Sequence, residues 1–175
     1  MIARLFKLKG HDDLFAVAPE LVRQCPAMKF LLVGDGPWRR RFEERARALG
    51  LKAHFVFAGL VPPSDVPRFV GTMDALVHLS RREGLARALP QAMAASRPVI
   101  AYDCDGAREV CLENETGFLL AHGDRVGLSR RLIELAVDPA LRDRLGRRGR
   151  CLARERFPVE KMVDEIYSLY LRLIS

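Results

Sequence analysis

Six short apolar runs, separated by stretches with helical spacing, constrain the fold of this chain more than any other feature of its sequence. The runs lie at residues 2–6, 28–33, 53–58, 74–79, 98–102 and 117–120. Strands that are continuously apolar are typical of parallel sheets, because helices cover both faces of such a sheet. The pattern therefore predicts a doubly wound, Rossmann-like α/β domain, with a parallel sheet of about six strands and helices on both faces.

The last third of the chain, from about residue 124, has no strand pattern. It contains three helical stretches, at residues 125–137, 140–154 and 159–174. Since 175 residues is the length of one ordinary domain, we expect these helices to wrap the sheet and not to form a second domain. A strand within residues 125–170 would contradict this prediction.

Composition excludes several classes of protein. The chain is 49% hydrophobic and 29% charged, which is typical of a globular protein and not of a disordered one. No apolar run approaches the ~20 residues that a membrane-spanning helix needs, and Met1 is not followed by a secretory leader pattern. The four cysteines are too scattered for a structural zinc site. We therefore expect a cytoplasmic protein with reduced thiols.

The net charge of +7 suits nucleic acid, anionic lipid or a phosphorylated ligand, and charge alone does not choose among them. The strongest basic segment, residues 142–156, holds seven arginines and no aromatic residue before Phe157. Single-stranded nucleic-acid sites interleave aromatic residues with cations. We therefore interpret this segment as the solvated face of a surface helix and expect no nucleic-acid partner.

Loops that follow the strands are the candidate binding segments, because open parallel sheets bind ligands at the carboxyl ends of their strands. There the chain offers Arg4 and Lys9, glycines at 34, 36 and 59, and the segment 83–86. A glycine ahead of a helix lets backbone N–H groups approach an anion, so Gly84 suits a phosphate. The G-x-G-x-x-G and Walker A patterns are absent, which argues against nicotinamide, flavin and P-loop enzymes.

Six sequence motifs occur in one order along the chain. They are Arg4-Leu5 with Lys9-Gly10, LVGDGP at 32–37, FAGLV at 57–61, SRREGL at 80–85, AMAA with PV at 92–99, and NETGFL at 114–119. With these motifs the chain resembles, essentially end to end, the C-terminal, donor-binding domain of a family 4 (group 1) glycosyltransferase of the GT-B fold.

The resemblance implies that residues 1–175 are one half of a GT-B fold, without the N-terminal acceptor domain. It implies retaining transfer of a sugar from a nucleotide-diphosphate sugar, such as a UDP- or GDP-sugar, to an acceptor that the sequence does not identify. No metal and no further cofactor are expected. The implied partners are the nucleotide sugar and the acceptor domain, through which a membrane surface could be reached. The isolated domain is expected to be inactive.

The resemblance also assigns roles to single residues. Arg4 and Lys9 would hold the diphosphate, and Glu83, the first acid of the family's E-x7-E motif, would bind hydroxyls of the donor sugar. The other binding positions that it implies are Gly34, Val61, Gly84, Leu85, Ala86 and Gln91. Gln91 stands where the family usually has a glutamate that grips the ribose, and the loss of that charge would weaken binding.

Other interpretations stay open at this point. Gln91 and the missing acceptor half also suit a non-catalytic nucleotide-sugar binder or interaction module, and a GT-B sugar epimerase or phosphorylase would have a pocket of similar outline. His78 is expected to be a buried structural histidine of the fourth run. Glu109 could face the donor pocket or cap a turn, and we assign a catalytic role to neither.

Overall fold

The structure is a computed structural model that describes residues 1–174. In this part of the chain five strands alternate with helices. The strands are β1 (Phe30–Val33), β2 (Phe55–Gly59), β3 (Leu76–His78), β4 (Val99–Tyr102) and β5 (Gly117–Leu120). The α-helices are α1 (His11–Gln24), α2 (Arg39–Ala48), α3 (Val66–Gly71), α4 (Ala88–Ala94), α5 (Ala107–Val110), α6 (Arg125–Val137), α7 (Pro139–Arg156) and α8 (Val159–Ile174).

All strand pairs are parallel, as the apolar runs predict. β1 pairs with β2, and β4 lies between β3 and β5. The strands thus form a two-stranded and a three-stranded sheet, and β1 and β3 are not hydrogen-bonded to each other. This separation of the sheets leaves a cavity between them.

The prediction of a strand at residues 2–6 is wrong, so residues 1–174 contain five strands where about six were expected. Ile2 forms a single parallel bridge with Val33. The chain then leaves the sheet at the exposed Arg4, and a short 3-10 helix follows at Lys7–Lys9. An apolar run does not make a strand unless enough of its backbone finds hydrogen-bond partners, and here only the first residues do so.

Helix bounds agree closely with the sequence pattern in the C-terminal third. α6 and α8 have the predicted bounds, and α7 extends the predicted 140–154 at both ends. α3 begins at Val66, and its N-cap Asp65 makes no side-chain capping bond. Pro67 in its first turn, where no hydrogen-bond donor is needed, explains this start.

The core consists of two hydrophobic clusters, with helices on both sides of the strands. In the first cluster α1 packs against α6, and Phe15 of α1 stacks on Phe55 of β2 with ring centroids 4.2 Å apart. In the second cluster α4 packs against α7. The helices that follow residue 124 therefore cover the sheet as predicted, except that α8 has no buried residue. Within residues 1–174, no helix is long and apolar enough to cross a membrane.

His11, at the first position of α1, carries the clearest unsatisfied polar groups of the first cluster. Both of its ring nitrogens are buried and have no hydrogen-bond partner among residues 1–174, while the ring packs on Phe42 at 5.1 Å. Burial, together with the positive charge of the Met1 amino group, lowers the pKa of His11 to about 3. An unfolded histidine binds its proton near pH 6.5, about three units higher.

We expect His11→Leu to raise the free energy of unfolding by about 1–3 kcal/mol at pH 7, because it removes buried polar groups that lack partners. The unfolded state of the native chain binds more protons than the folded state between about pH 3 and 6.5. The free energy of unfolding therefore decreases as the pH is lowered through this window. The variant should lose less stability between pH 7 and pH 4. Urea unfolding at both pH values measures the two effects, and a less stable variant at pH 7 would contradict the prediction.

Candidate functional site

A pocket of about 160 Å³ lies at the carboxyl end of β3 and is called the Lys9 pocket here. It is lined by Ile2, Ala3, Arg4, Lys9, His78, Glu83, Ala86, Arg87 and Ala88. These residues come from three parts of the chain: the segment before α1, the end of β3, and the loop that leads into α4. Parallel strands and helix starts converge at this edge, which is where ligands bind in open α/β sheets.

Lys9 and Glu83, which both line this pocket, form an ion pair. The Lys9 Nζ donates a hydrogen bond to Glu83 Oε2, and both side chains are largely shielded from solvent. Burial alone would raise the pKa of Glu83, but the hydrogen bond and the charge of Lys9 act in the opposite direction and hold that pKa below its ordinary value. Glu83 is therefore a carboxylate at neutral pH. It lies 74 residues from Lys9 in sequence, so the fold brings the two together.

The loop that carries Glu83 is held by backbone contacts on two sides. The Glu83 N–H donates to Asp105 Oδ2 at 2.7 Å, which ties the loop to the segment after β4. On the other side, Arg81 N–H donates to the Leu8 carbonyl at 2.9 Å, and the Ser80 hydroxyl approaches the same oxygen at 3.4 Å. These bonds place Glu83 against the 3-10 helix that carries Lys9. They do not involve the side chains of Lys9 and Glu83, so they hold the loop independently of the ion pair.

Two further cations line the pocket. Arg4 is exposed, with its guanidinium 5.1 Å from the Phe6 ring centroid, and Arg87 is the exposed N-cap residue of α4. Three cationic side chains thus face one carboxylate within the lining. Such an excess of positive charge suits a ligand with more than one negative charge.

His78 is buried, as expected from the sequence, but it also lines the pocket. Its Nε2 lies 3.8 Å from Glu83 Oε2, beyond hydrogen-bond distance, and has no partner in the described part of the chain. Burial lowers the pKa of His78 to about 4, so the ring is neutral at pH 7. Sequence reasoning identified His78 as a buried structural histidine but did not place it in the pocket, although it lies at the end of the strand that leads into the Glu83 loop.

The structure brings Arg4, Lys9, Glu83 and Ala86 together and leaves the other predicted binding residues outside the pocket lining. Gly84 and Leu85 are exposed in the same loop as Glu83. Gly34 and Val61 follow β1 and β2, and Gln91 is an exposed residue of α4, one turn beyond Arg87. Arg87 is a lining residue that the sequence motifs did not indicate.

Metal ligands are not grouped at this site. Within residues 1–174, no three His, Cys, Asp or Glu side chains are placed so that they could hold a metal ion together. The polar groups available to a ligand in the Lys9 pocket are therefore the cations, the Glu83 carboxylate, the His78 ring and backbone groups.

Solved structures share this architecture over nearly the whole chain. HepE of Anabaena in complex with UDP superposes with a TM-score of 0.87 at 24% identity, and the match covers 98% of this chain and 47% of that one. The C-terminal domain of LpcC, a glycosyl transferase group 1 family protein from Francisella tularensis, gives a TM-score of 0.80 at 21% identity. This match covers 90% of this chain and 85% of that domain. At these identities the likeness shows a GT-B glycosyltransferase fold.

Sequence comparison extends the likeness from fold to family. The 2-deoxystreptamine N-acetyl-D-glucosaminyltransferase of Streptomyces fradiae is 32% identical over 159 residues, which is 85% of this chain and 38% of the relative. The chain spans less than half the length of this and other curated relatives that it matches. The family model for glycosyl transferases group 1 matches residues 1–151. The chain therefore belongs to the group 1 glycosyltransferase family.

Proposed function

We propose that this chain is the donor-binding half of a retaining glycosyltransferase and that the Lys9 pocket holds the diphosphate and sugar of a nucleotide-sugar donor. The observation that carries the proposal is the meeting of Arg4, Lys9 and Glu83 at one end of β3. The complex of HepE with UDP supports the choice of a nucleotide ligand.

The charges of the pocket suit a diphosphate. Arg4, Lys9 and Arg87 offer charge-assisted hydrogen bonds, which are about twice as strong as neutral ones. When the glycosidic bond breaks, negative charge grows on the departing diphosphate, and cations fixed beside it stabilise that state more than the ground state. The chain would thus promote departure of the leaving group by positioning and charge.

Glu83 can bind the sugar while it keeps its contact with Lys9. An ammonium has three donors and a carboxylate has about four acceptor sites. Lys9 can therefore donate to Glu83 and to a phosphate oxygen together, and the second Glu83 oxygen can accept from sugar hydroxyls. The neutral His78 ring, 3.8 Å from Glu83 Oε2, adds a further polar group beside the sugar position.

The size of the pocket fits half of an active site. Its volume of about 160 Å³ lies below the roughly 300–1,000 Å³ of ordinary ligand pockets. We propose that an N-terminal acceptor domain supplies the rest and that any membrane contact is made through it. Transfer needs an acceptor hydroxyl held about 3–3.5 Å from the reacting carbon, so we propose that the isolated chain transfers no sugar.

Calorimetric titration with UDP and GDP tests the diphosphate site. We expect Arg4→Ala and Lys9→Ala each to weaken nucleotide binding by about 1–3 kcal/mol, since each removes a charge-assisted contact. Lys7→Ala is the matched control, because Lys7 is an exposed cation of the same 3-10 helix and does not line the pocket. The affinity of the Lys7→Ala variant for UDP or GDP should equal that of the native chain. Unchanged affinity in both pocket variants would contradict the proposal.

A further inference from the structure

His78 has a buried polar atom beside the Lys9 pocket that the contacts of the pocket leave unused. The residue is 4% exposed, and its Nε2 has no hydrogen-bond partner among residues 1–174. Buried polar groups without a partner are rare in folded proteins, and each needs an explanation. Since His78 lines a pocket that carries opposite charges, we looked for a partner that a change in those charges would provide.

The Glu83 carboxylate is an acceptor that Nε2 can reach. Nε2 lies 3.8 Å from Glu83 Oε2, about 1 Å more than a hydrogen bond. Burial lowers the pKa of His78 to about 4, so the ring is neutral at pH 7 and has a single N–H. The carboxylate favours the tautomer with this proton on Nε2, because the other tautomer turns a lone pair toward a negative charge. A short rotation of the Glu83 side chain would complete the bond.

Lys9 competes with His78 for the same oxygen. The Lys9 Nζ donates to Glu83 Oε2, and this ion pair holds the carboxylate on the side away from a full hydrogen bond with His78. The Glu83 side chain is only 27% exposed, so a carboxylate that loses Lys9 is costly unless another donor replaces it. The Ser80 hydroxyl already donates to the Arg82 carbonyl at 3.1 Å. His78 Nε2 is thus an uncommitted donor beside the carboxylate.

The backbone around Glu83 allows this exchange of partners without movement of the loop. The Glu83 N–H is bonded to Asp105, and the Arg81 N–H is bonded to the Leu8 carbonyl. Neither bond uses the Glu83 carboxylate, so only the side-chain torsions of Glu83 have to change.

We propose that His78 is a positioning residue for Glu83: as a bound phosphate draws the Lys9 ammonium toward itself, the His78 Nε2–H donates to Glu83 Oε2 and keeps the carboxylate in place. In the proposed donor complex Lys9 is shared between Glu83 and a phosphate oxygen, so its hold on Glu83 weakens as the diphosphate binds. The part of the ligand therefore rests on the proposed function, whereas the contact between His78 and Glu83 does not.

The variant Lys9→Met tests the contact without any ligand, because it keeps an unbranched stem and removes the ammonium. NMR of the 15N-labelled histidine rings gives the tautomer, the proton shift and the exchange rate, and His78→Gln identifies the His78 signals. In Lys9→Met we expect the His78 Nε2 proton to move downfield and to exchange with water about tenfold more slowly, which is the factor that one ordinary hydrogen bond provides.

Two further variants serve as controls. Lys7→Met removes an exposed cation of the same 3-10 helix that does not line the pocket, and it should change neither quantity. Lys9→Met combined with Glu83→Ala should restore the native shift and exchange rate, because the acceptor is gone. Native His78 signals in Lys9→Met, or a proton on Nδ1, would overturn the proposal. Changes of equal size at His11, which does not line the pocket, would also overturn it, since they would show a general rearrangement.

Addition of UDP to the native chain tests whether a ligand causes the exchange of partners. At saturation, UDP should change the His78 signals in the same direction as Lys9→Met does. UDP that binds without this change would overturn the proposal. A chain that binds neither UDP nor GDP would contradict the proposed function, and Lys9→Met would still decide whether His78 holds Glu83.

Discussion

Replacing Glu83 with alanine in an intact, longer transferase is expected to lower the rate of sugar transfer by at least about 100-fold, which is the effect of removing one fixed contact to a reacting group. The affinity for UDP or GDP should change little, because the contact proposed for Glu83 is to the sugar. Glu83 is held in place by the Asp105 bond to its backbone N–H, so the substitution removes the carboxylate without releasing the loop. Steady-state transfer rates and nucleotide titration measure the two quantities separately.

Glu109→Ala is the matched control for this experiment. Glu109 is an exposed glutamate of α5 and does not line the Lys9 pocket. Its loss should leave transfer within about twofold, as is usual for surface substitutions. A Glu83 variant that keeps its transfer rate would contradict the assignment. A longer native protein that binds the nucleotide but shows no transfer would favour the non-catalytic interpretation.

Gly10→Ala is expected to lower the free energy of unfolding by about 2–5 kcal/mol. An alanine is strained in the left-handed backbone conformation of this position, and its added Cβ overpacks the neighbouring residues. Gly10 has φ of +72° and joins the Lys9 segment to α1. A Cβ at this position would lie 2.1 Å from the Leu79 carbonyl oxygen, a backbone atom that cannot rotate away. The substitution must therefore push the Lys9 segment off the end of β3.

Gly50→Ala separates the two causes. Gly50 has φ of +69°, and a Cβ there would meet nothing within 4 Å. It should lose only the conformational cost of about 1–2 kcal/mol. Urea unfolding of both variants gives the comparison. Equal losses would show that the close approach of Gly10 to Leu79 has no energetic weight.

The apolar runs predicted β1 to β5 because each of these strands contains buried residues and pairs with at least one neighbouring strand. The run at 2–6 was equally apolar, but only its first residues lie beside β1, and Leu5 N–H bonds to the Asp35 carbonyl beyond the end of that strand. Hydrophobicity reports burial and not hydrogen-bond partners. The sequence therefore could not show that this segment leaves the sheet at Arg4.

For the site, sequence reasoning could predict that Arg4, Lys9 and Glu83 meet, because it assigned all three to the carboxyl ends of predicted strands, which share one edge of a sheet. The first of those strands is absent, but the bridge between Ile2 and Val33 still brings this segment to that edge. It could not find Arg87, whose approach depends on where α4 begins. It also could not find the unpartnered state of His78, since the partners of a buried histidine come from segments distant in sequence. The exposure of Gln91 likewise depends on the angle at which α4 leaves the pocket.

The hydrogen bond from Arg81 N–H to the Leu8 carbonyl has a consequence for the entropy of binding. It joins the two loops that carry Lys9 and Glu83 through main-chain atoms, so it persists when a ligand or high salt weakens the ion pair. The loops are then ordered before a ligand arrives, and association does not carry the cost of ordering them. We therefore expect salt to weaken the attraction between the ligand and the cations and to leave the width of the Lys9 pocket unchanged.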